Sequence, residues 1–341
     1  MKRVLVTGGA GFIGSNFVRY ALRAHDDWVI TVVDLLTYAG NLENLRDLLS
    51  NPRLHFVKAD IVDREKMGML LGEGFDYVFN FAAETHVDRS IHDPEAFIRT
   101  DVQGTFTLLE AARRHTVERF VQVSTDEVYG SLSEGSAHEN APLMPTSPYA
   151  ASKAGADRLA FSYFGTYGVP VVIIRPSNNF GPHQHPEKLI PLFITNALAD
   201  QPLPLYGDGR NVRDWLYVGD HCEAIDLILT RGKLGEVYNI GAGSERTNLE
   251  VTEAILDHLG KPRSLIQHVR DRLGHDRRYS LDSSKLRQLG WTPRRKFQQA
   301  LRETVDWYVS HESWWKSIKA GEFASYYKEQ YGADAPGGAP E

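Results

Sequence analysis

The sequence predicts an α/β fold, a doubly wound parallel sheet with a smaller mixed C-terminal domain. Three observations carry this. Short apolar and β-branched runs alternate with amphipathic helical patterns up to Arg175. A glycine string separates the first run from the first helical pattern, and an acid closes the second run 20 residues after the last of those glycines.

The first strand is Arg3-Val-Leu-Val-Thr7, and Gly8-Gly-Ala-Gly-Phe-Ile-Gly14 follows it directly. That string satisfies G-x-G-x-x-G from Gly9 and also places Gly8, Gly11 and Gly14 at every third position. Phe17, Val18, Ala21 and Leu22 then mark one face of a helix, and residues 29–33 form a second strand ending on Asp34. Glycines let the backbone approach a pyrophosphate at the helix N-terminus, where unpaired N–H groups and the helix dipole attract it. Asp34 would accept hydrogen bonds from ribose hydroxyls and repel a 2'-phosphate, which Leu35 and Leu36 offer no cation to neutralise. The pattern predicts a Rossmann-type domain that holds NAD in preference to NADP.

The alternation continues with a helix over 44–49, a strand over 55–58 leading to Asp60 and Ile61, a helix over 64–71 and a strand over 77–81. The small residues Ala82 and Ala83 follow this strand and would let a cofactor lie close. An amphipathic helix over 100–115 leads to the strand 120–123, which runs into Ser124, Thr125, Asp126 and Glu127. Side chains alternate faces along a strand. The two carboxylates therefore serve one site only from a turn beyond the strand's C-terminal end, where open parallel sheets bind ligands. Ser147-Pro148 signals a helix start, and Tyr149 and Lys153, four apart, share one face of that helix. An ammonium beside a phenol lowers the phenol's pKa, as a base acting on a hydroxyl at neutral pH requires. The helix runs on to Gly168, and 171–175 is a sixth strand.

After Arg175 the texture changes to loops at 176–182, 186–191 and 202–210, interspersed with the cations Lys188, Arg210, Arg213, Arg272, Arg277 and Arg278. Arginine suits a bidentate grip on phosphate. Helices are expected over 248–259 and 297–311, and Trp314, Trp315, Tyr326, Tyr327 and Tyr331 form an aromatic cluster read as core or cap. Residues 332–341, rich in glycine, alanine and proline, are expected to be disordered. The expected division is a dinucleotide domain of residues 1–178 with about 214–243, and a second domain of 179–213 with about 244–331.

Composition narrows the partners. The 341 residues are 42% hydrophobic and 24% charged, enough for one large or two ordinary domains. Net charge is −6 and no Lys/Arg run stands out, so no nucleic acid is expected. Cys222 is the single cysteine, which excludes an internal disulfide; metal-ligand spacings are absent. Neither a leader pattern nor a membrane-length apolar run is present, so a cytoplasmic protein without a membrane partner is expected. The long helices over 100–115 and 147–168 carry apolar residues on more than one face, and a homodimer built on them is expected.

Gly8-x-x-Gly11-x-x-Gly14, Ser124, Tyr149-x-x-x-Lys153 and the strand alternation resemble the extended short-chain dehydrogenase/reductases that act on nucleotide sugars. Within them the chain is similar, from Arg3 to about Gly332, to the dTDP-glucose 4,6-dehydratase family. The strings that carry the similarity include Leu36-Thr-Tyr-Ala-Gly-Asn41, Ala82-Ala-Glu-Thr-His-Val-Asp-Arg-Ser90, Thr125-Asp-Glu-Val-Tyr-Gly130, Pro186-Glu-Lys-Leu-Ile-Pro191, Val212-Arg-Asp-Trp-Leu-Tyr217 and Gly274-His-Asp-Arg-Arg-Tyr279. The resemblance implies NAD at Phe12, Ile13, Asp34, Thr37, Asp60, Ile61, Ala82, Ala83, Thr100, Tyr149, Lys153 and Asn179, beside the glycines Gly8, Gly11 and Gly14. It implies dTDP-glucose or a similar nucleotide sugar at His86, Thr125, Asn178, Lys188, Leu189, Pro204, Tyr206, Arg213, Asn248, Arg272 and His275. Leu35, Phe180 and Leu273 depart from the family's usual lysine, tyrosine and proline.

The implied chemistry assigns C4 oxidation to Tyr149 with Lys153 and Ser124 or Thr125, and water elimination to Glu127 as base and Asp126 as acid. Neighbouring carboxylates in a dry site separate their pKa values, which supplies one acid and one base. A 4-epimerase shares the Tyr/Lys pair but needs no carboxylate pair. A UDP-glucuronate decarboxylase has serine where Asp126 stands, and a non-catalytic NAD sensor would be expected to lack the tyrosine or lysine. A UDP-glucose 4,6-dehydratase shares the fold and the Tyr/Lys pair, and base selectivity lies in loop details, so the nucleobase stays open.

Overall fold

The computed structural model describes residues 1–321 together with Tyr327, Gln330 and Tyr331; Tyr326 and the stretch 332–341 lie outside the described residues. The strands are β1 (Lys2–Thr7), β2 (Trp28–Asp34), β3 (Leu54–Lys58), β4 (Tyr77–Asn80), β5 (Arg119–Val123) and β6 (Val171–Pro176), then β7 (Asn178–Phe180), β8 (Leu203–Tyr206), β9 (Val212–Tyr217), β10 (Val237–Ile240), β11 (Glu245–Thr247) and β12 (Ile266–Val269). The helices are α1 (Phe12–Ala24), α2 (Arg64–Gly72), α3 (Val87–His92), α4 (Pro94–Phe97), α5 (Thr105–Arg114) and α6 (Pro148–Tyr167). They continue with α7 (Leu189–Leu198), α8 (Val218–Arg231), α9 (Asn248–Leu259), α10 (Ser284–Gln288), α11 (Phe297–Ser310) and α12 (Glu312–Lys319).

Seven strands form one parallel sheet in the order β10-β6-β5-β4-β1-β2-β3. The chain starts at β1, winds outward to β3, crosses to β4 and winds the other way, which makes the gap between β1 and β4 the switch point where such sheets bind ligands. Side-chain alternation explains the continuous apolar runs: Val4 and Val6 of β1 enter the core on one face, Leu5 the core on the other. Val121 and Phe120 of β5, and Ile174 and Ile173 of β6, divide in the same way. Pairing of Thr7 with Val33 and Asn80, and of Val123 with Ile174, aligns the strand ends, so the segments that follow them share one rim.

A three-stranded sheet, β11-β9-β7, and the pair β12-β8 supply the mixed architecture of the second half. Their core gathers Phe180, Phe193, Trp215, Ile255, Leu301 and Trp315, with Trp314, Tyr327 and Tyr331 packed at its margin. The aromatic cluster thus divides between core and edge. The seventh strand, β10, joins the large sheet although its sequence lies amid second-half segments.

Three expectations change. The helix over 44–49 is a single 3-10 turn, Leu42–Leu45. Its polar groups turn to the glycine loop instead of the helix ladder, with the Asn41 N–H and the Asn44 side chain both donating to the Ala10 carbonyl at 3.1 and 2.9 Å. The helix over 100–115 opens as a π-helical segment, Ile98–Gly104, which turns Asp101 into the interior. The stretches read as loops after Arg175 contain β7, β8 and the start of α7. Pro191 falls in the first turn of α7, where a missing N–H costs little, so a proline that looked like a break is compatible with the helix. No helix among the described residues is long and apolar enough to cross a membrane.

Candidate active site

Two clefts meet at the rim of the large sheet. The first, of about 280 Å³, follows the ends of β1, β2, β4, β5 and β6 and is lined by every residue assigned above to the cofactor, from Gly8 to Asn179. The second, of about 160 Å³, lies between α3 and the second domain. It is lined by His86, Asn178, Lys188, Leu189, Pro204, Tyr206, Arg213, Asn248, Arg272 and His275, so all the assigned sugar-nucleotide residues except Thr125 lie there; Thr125 lines the first. Arg210, Arg277 and Arg278 line neither: Arg277 pairs with Asp208 and Arg278 with Glu245. Thr85, Glu127, Asn178, Glu187 and Lys188 line both clefts.

The glycine loop fits a pyrophosphate for steric reasons. A Cβ on Gly14 would stand 2.2 Å from the Gly8 carbonyl oxygen. Gly8 itself has φ +66° and brings the loop against the Ala82 backbone, where a Cβ would come within 2.6 Å. Helix α1 starts at Phe12 with no side chain capping its first N–H groups, which leaves them and the helix dipole for an anion. Asp34 at the end of β2 is buried and takes the N–H groups of Ala10 (2.9 Å) and Leu36 (2.8 Å), which orient the carboxylate beside the cleft. Further along, Ser124 Oγ and Asn178 Oδ1 are buried without hydrogen-bond partners and line the cleft. Orphaned polar groups of this kind are what a polar ligand satisfies. The residues present therefore fit a dinucleotide such as NAD.

The catalytic candidates come from two elements. Strand β5 ends at Val123, and Asp126–Tyr129 forms a 3-10 turn whose N-cap is Thr125; its hydroxyl accepts the Glu127 N–H at 3.3 Å. The turn therefore carries both carboxylates to the rim, as expected from face alternation. Helix α6 starts with Ser147 capping the Ala150 N–H and Pro148 in its first turn. Tyr149 and Lys153 then face inward together, both buried. Thr125 is hydrogen-bonded both to Asp126 Oδ1 (3.2 Å) and to the Tyr149 hydroxyl.

Electrostatics separate the roles. Burial, then the charge of Glu127, pushes Asp126 well above the carboxylate range. Glu127 is also raised by burial, but Arg272, Arg213 and Lys188 oppose the shift. The arrangement makes Asp126 the more readily protonated of the two carboxyls.

The expected lowering of Tyr149 is not what the structure has. Burial and the facing acids Glu127 and Asp101 push its pKa up, while the Lys153 ammonium donates to the Val123 carbonyl at 2.7 Å and is itself lowered by burial.

Several residues were not singled out in the sequence. Asp101 accepts the Ser152 hydroxyl at 2.6 Å and the Glu84 N–H at 3.0 Å; burial raises Asp101 to about 6 and Glu84 to about 7. Asp88 takes the Tyr206 hydroxyl (3.0 Å) and Arg272 (3.4 Å), and Tyr279 donates to Glu127 at 3.5 Å. No sequence spacing links these pairs, which meet across as many as 184 residues. Of the three departures, Phe180 is buried in the second core, whereas Leu35 and Leu273 are exposed.

With this geometry in view, comparison with known proteins is decisive. A family described as GDP-mannose 4,6 dehydratase matches residues 5–304. The chain belongs to this family. Within this dehydratase family it is 50% identical to a dTDP-glucose 4,6-dehydratase of Streptomyces niveus over 328 residues, 95% of this chain and 97% of that one. It is 53% identical over 309 residues to the low-salt glycan biosynthesis protein Agl12 of Haloferax volcanii, covering 91% of this chain and 99% of the relative. The solved structure of DesIV, a dTDP-glucose 4,6-dehydratase of Streptomyces venezuelae with NAD and dTDP bound, superposes with a TM-score of 0.91 at 53% identity, covering 93% of this dehydratase-family chain and all of DesIV.

Proposed function

We propose that this protein converts dTDP-glucose to dTDP-4-keto-6-deoxy-glucose and water, using bound NAD, as a nucleotide-sugar 4,6-dehydratase of deoxysugar biosynthesis. The observation that carries this is the position of Glu127, which lines both the dinucleotide cleft and the cation-lined cleft. A carboxylate at that junction, with Asp126 beside it in the dinucleotide cleft, can act on a sugar whose C4 faces one cleft and whose diphosphate enters the other.

Lys188, Arg213 and Arg272 hold the diphosphate, and Tyr206, Asn248 and His275 bind the nucleoside end. Burial and the two arginines lower His275 to about 4, so it stays neutral and hydrogen-bonds without adding charge. Tyr149 takes the proton of the C4 hydroxyl, with Thr125 bonded to the same phenol oxygen. Bound NAD supplies the hydride acceptor for C4, the donor for C6 and a positive ring charge that favours the Tyr149 phenolate. The 4-ketone acidifies the C5 hydrogen, which Glu127 removes as a proton. Asp126 gives its proton to the departing C6 hydroxyl, releasing water. The proton held by Glu127 returns to C5 as C6 is reduced, and the proton that Tyr149 took from C4 passes to Asp126 through the Thr125 hydroxyl bonded to both, so redox state and protons balance over the cycle.

Domain division at residue 178, with about 214–243 returning to the first domain, is supported by β10 lying in the large sheet. A homodimer through the helices over 100–115 and 147–168 is supported by the exposed Ile98, Phe161 and Tyr167 on or beside them. Residence in the cytoplasm accords with the single, buried cysteine. The test of the activity is incubation with dTDP-glucose and with UDP-glucose separately, reading the alkaline absorbance of a 4-keto sugar. The expected result is product from dTDP-glucose; product from UDP-glucose alone, or from neither, overturns the reading.

A further inference from the structure

Behind the two clefts lies a buried polar chain that the reaction does not use. Tyr129, the last residue of the turn carrying Asp126 and Glu127, is buried and lines neither cleft. Its hydroxyl donates to Asn239 Oδ1 on β10 at 2.8 Å and accepts from Arg175 Nη1 at 2.7 Å. The Asn239 amide nitrogen donates to the carbonyls of Ala137 and Asp282, which fixes its oxygen as the acceptor. Arg175, on β6, is 1% exposed; its Nε and Nη2 grip Asp157 at 2.8 and 2.9 Å, and its guanidinium carbon lies 4.9 Å from the Tyr129 ring centre. Asp157 sits on α6, one turn beyond Lys153 and two beyond Tyr149.

A buried ion pair is by itself weak support for stability, because desolvation offsets much of the attraction. Holding β6 against α6 needs only Asp157. The third arm of Arg175, to the Tyr129 hydroxyl, instead reaches the turn with the acid and base. That turn is also fixed beyond Tyr129: Gly130 has φ +75°, a Cβ there would strike the Met144 carbonyl, and the Met144 N–H donates to the Val128 carbonyl at 2.9 Å.

We propose that Arg175, acting through Tyr129, is a positioning residue that holds the Asp126–Glu127 turn in register with the helix bearing Tyr149 and Lys153. This rests on the roles given above to those four side chains. Oxidation at C4 uses only groups on α6 and Thr125, and Lys153 keeps its own tie to Val123. Elimination needs the carboxylates to meet C5 and C6 of a sugar already placed by Tyr149, so it is the step sensitive to a shift of the turn. A displacement near 1 Å is enough to slow such a step by about a hundred-fold.

The test is Tyr129→Phe in the NAD-loaded enzyme with dTDP-glucose, followed by rapid-mixing absorbance of the nicotinamide and by release of 4-keto product. C4 oxidation and KM should stay within about two-fold of wild type, while elimination falls about ten- to hundred-fold and reduced cofactor accumulates. Exchange of the C5 hydrogen with deuterated water should slow in parallel. Asp157→Asn, assayed on its folded fraction, should skew the two steps in the same direction. A lower Tm with the ratio of the two steps unchanged would reduce Tyr129 and Arg175 to a structural staple and overturn the proposal. Glu127→Gln, run alongside, separates the two levels: if it accumulates reduced cofactor and Tyr129→Phe does not, the positioning role alone fails. If Glu127→Gln eliminates water normally, the reading of the carboxylates fails and the positioning role falls with it.

Discussion

The Lys153 ammonium donates to the Val123 carbonyl oxygen at 2.7 Å, tying the helix that carries the tyrosine to the last residue of the strand that delivers the two carboxylates. Both residues are buried. The bond therefore links the helix of the candidate oxidation pair to the strand end that precedes the candidate elimination pair.

Lys153→Met removes both the charge and this tie while preserving most of the stem's volume. Hydride transfer should fall by about a hundred- to ten-thousand-fold, as for loss of an acid-base partner. Single-turnover measurement of cofactor reduction checks this, and a rate near wild type would leave Lys153 only a packing role.

Tyr149→Phe and the carboxylate variants should fail at different steps. With Tyr149→Phe the bound cofactor should stay oxidised on adding dTDP-glucose, because no neighbouring group takes the C4 proton. Glu127→Gln and Asp126→Asn should still reduce the cofactor but lose elimination by about a hundred- to ten-thousand-fold. Water loss at the wild-type rate in Asp126→Asn would remove its role as the acid.

Asp34 is expected to set cofactor choice. NAD should co-purify with the protein, and Asp34→Ala should narrow the preference for NAD over NADP by removing the carboxylate that repels a 2'-phosphate. Affinities for the two cofactors measured on wild type and variant decide it; an unchanged ratio contradicts the assignment.

Glu84 gives a pH signature in stability. Burial, then the nearby Asp101, raises it from 4.5 to about 7. The folded protein therefore binds this proton more tightly than the unfolded chain, so its contribution is fully present below pH 4.5 and is lost as pH rises through about 7. Relative to wild type, Glu84→Gln should gain Tm between those limits and keep the gain above them. Thermal unfolding of the two proteins across that range tests it, and parallel curves would count against a buried, titrating Glu84.

Much of the site was legible because its signals are local. The Gly8, Gly11 and Gly14 spacing, the acid ending β2, the carboxylates just past β5 and the one-turn spacing of Tyr149 and Lys153 each follow from strand alternation or helix period, which neighbouring residues alone dictate. The second cleft was reached through family resemblance; spacing gave no sign that Asp88 would meet Arg272 or that Lys188 and Arg213 would face Glu127.

The sequence by itself determined the strand and helix alternation up to Arg175, the glycine loop and the candidate reacting groups. Only the tertiary structure decided the direction in which the pKa values of those groups shift and the junction of the two clefts. Burial of Asp126 raises its pKa, three cations from distant segments restrain that of Glu127, and burial beside Glu127 and Asp101 leaves Tyr149 raised where local spacing implied a lowered value. The physical reason is that desolvation and Coulomb interaction depend on what packs around a group in space, and the chain brings those neighbours from up to 184 residues away.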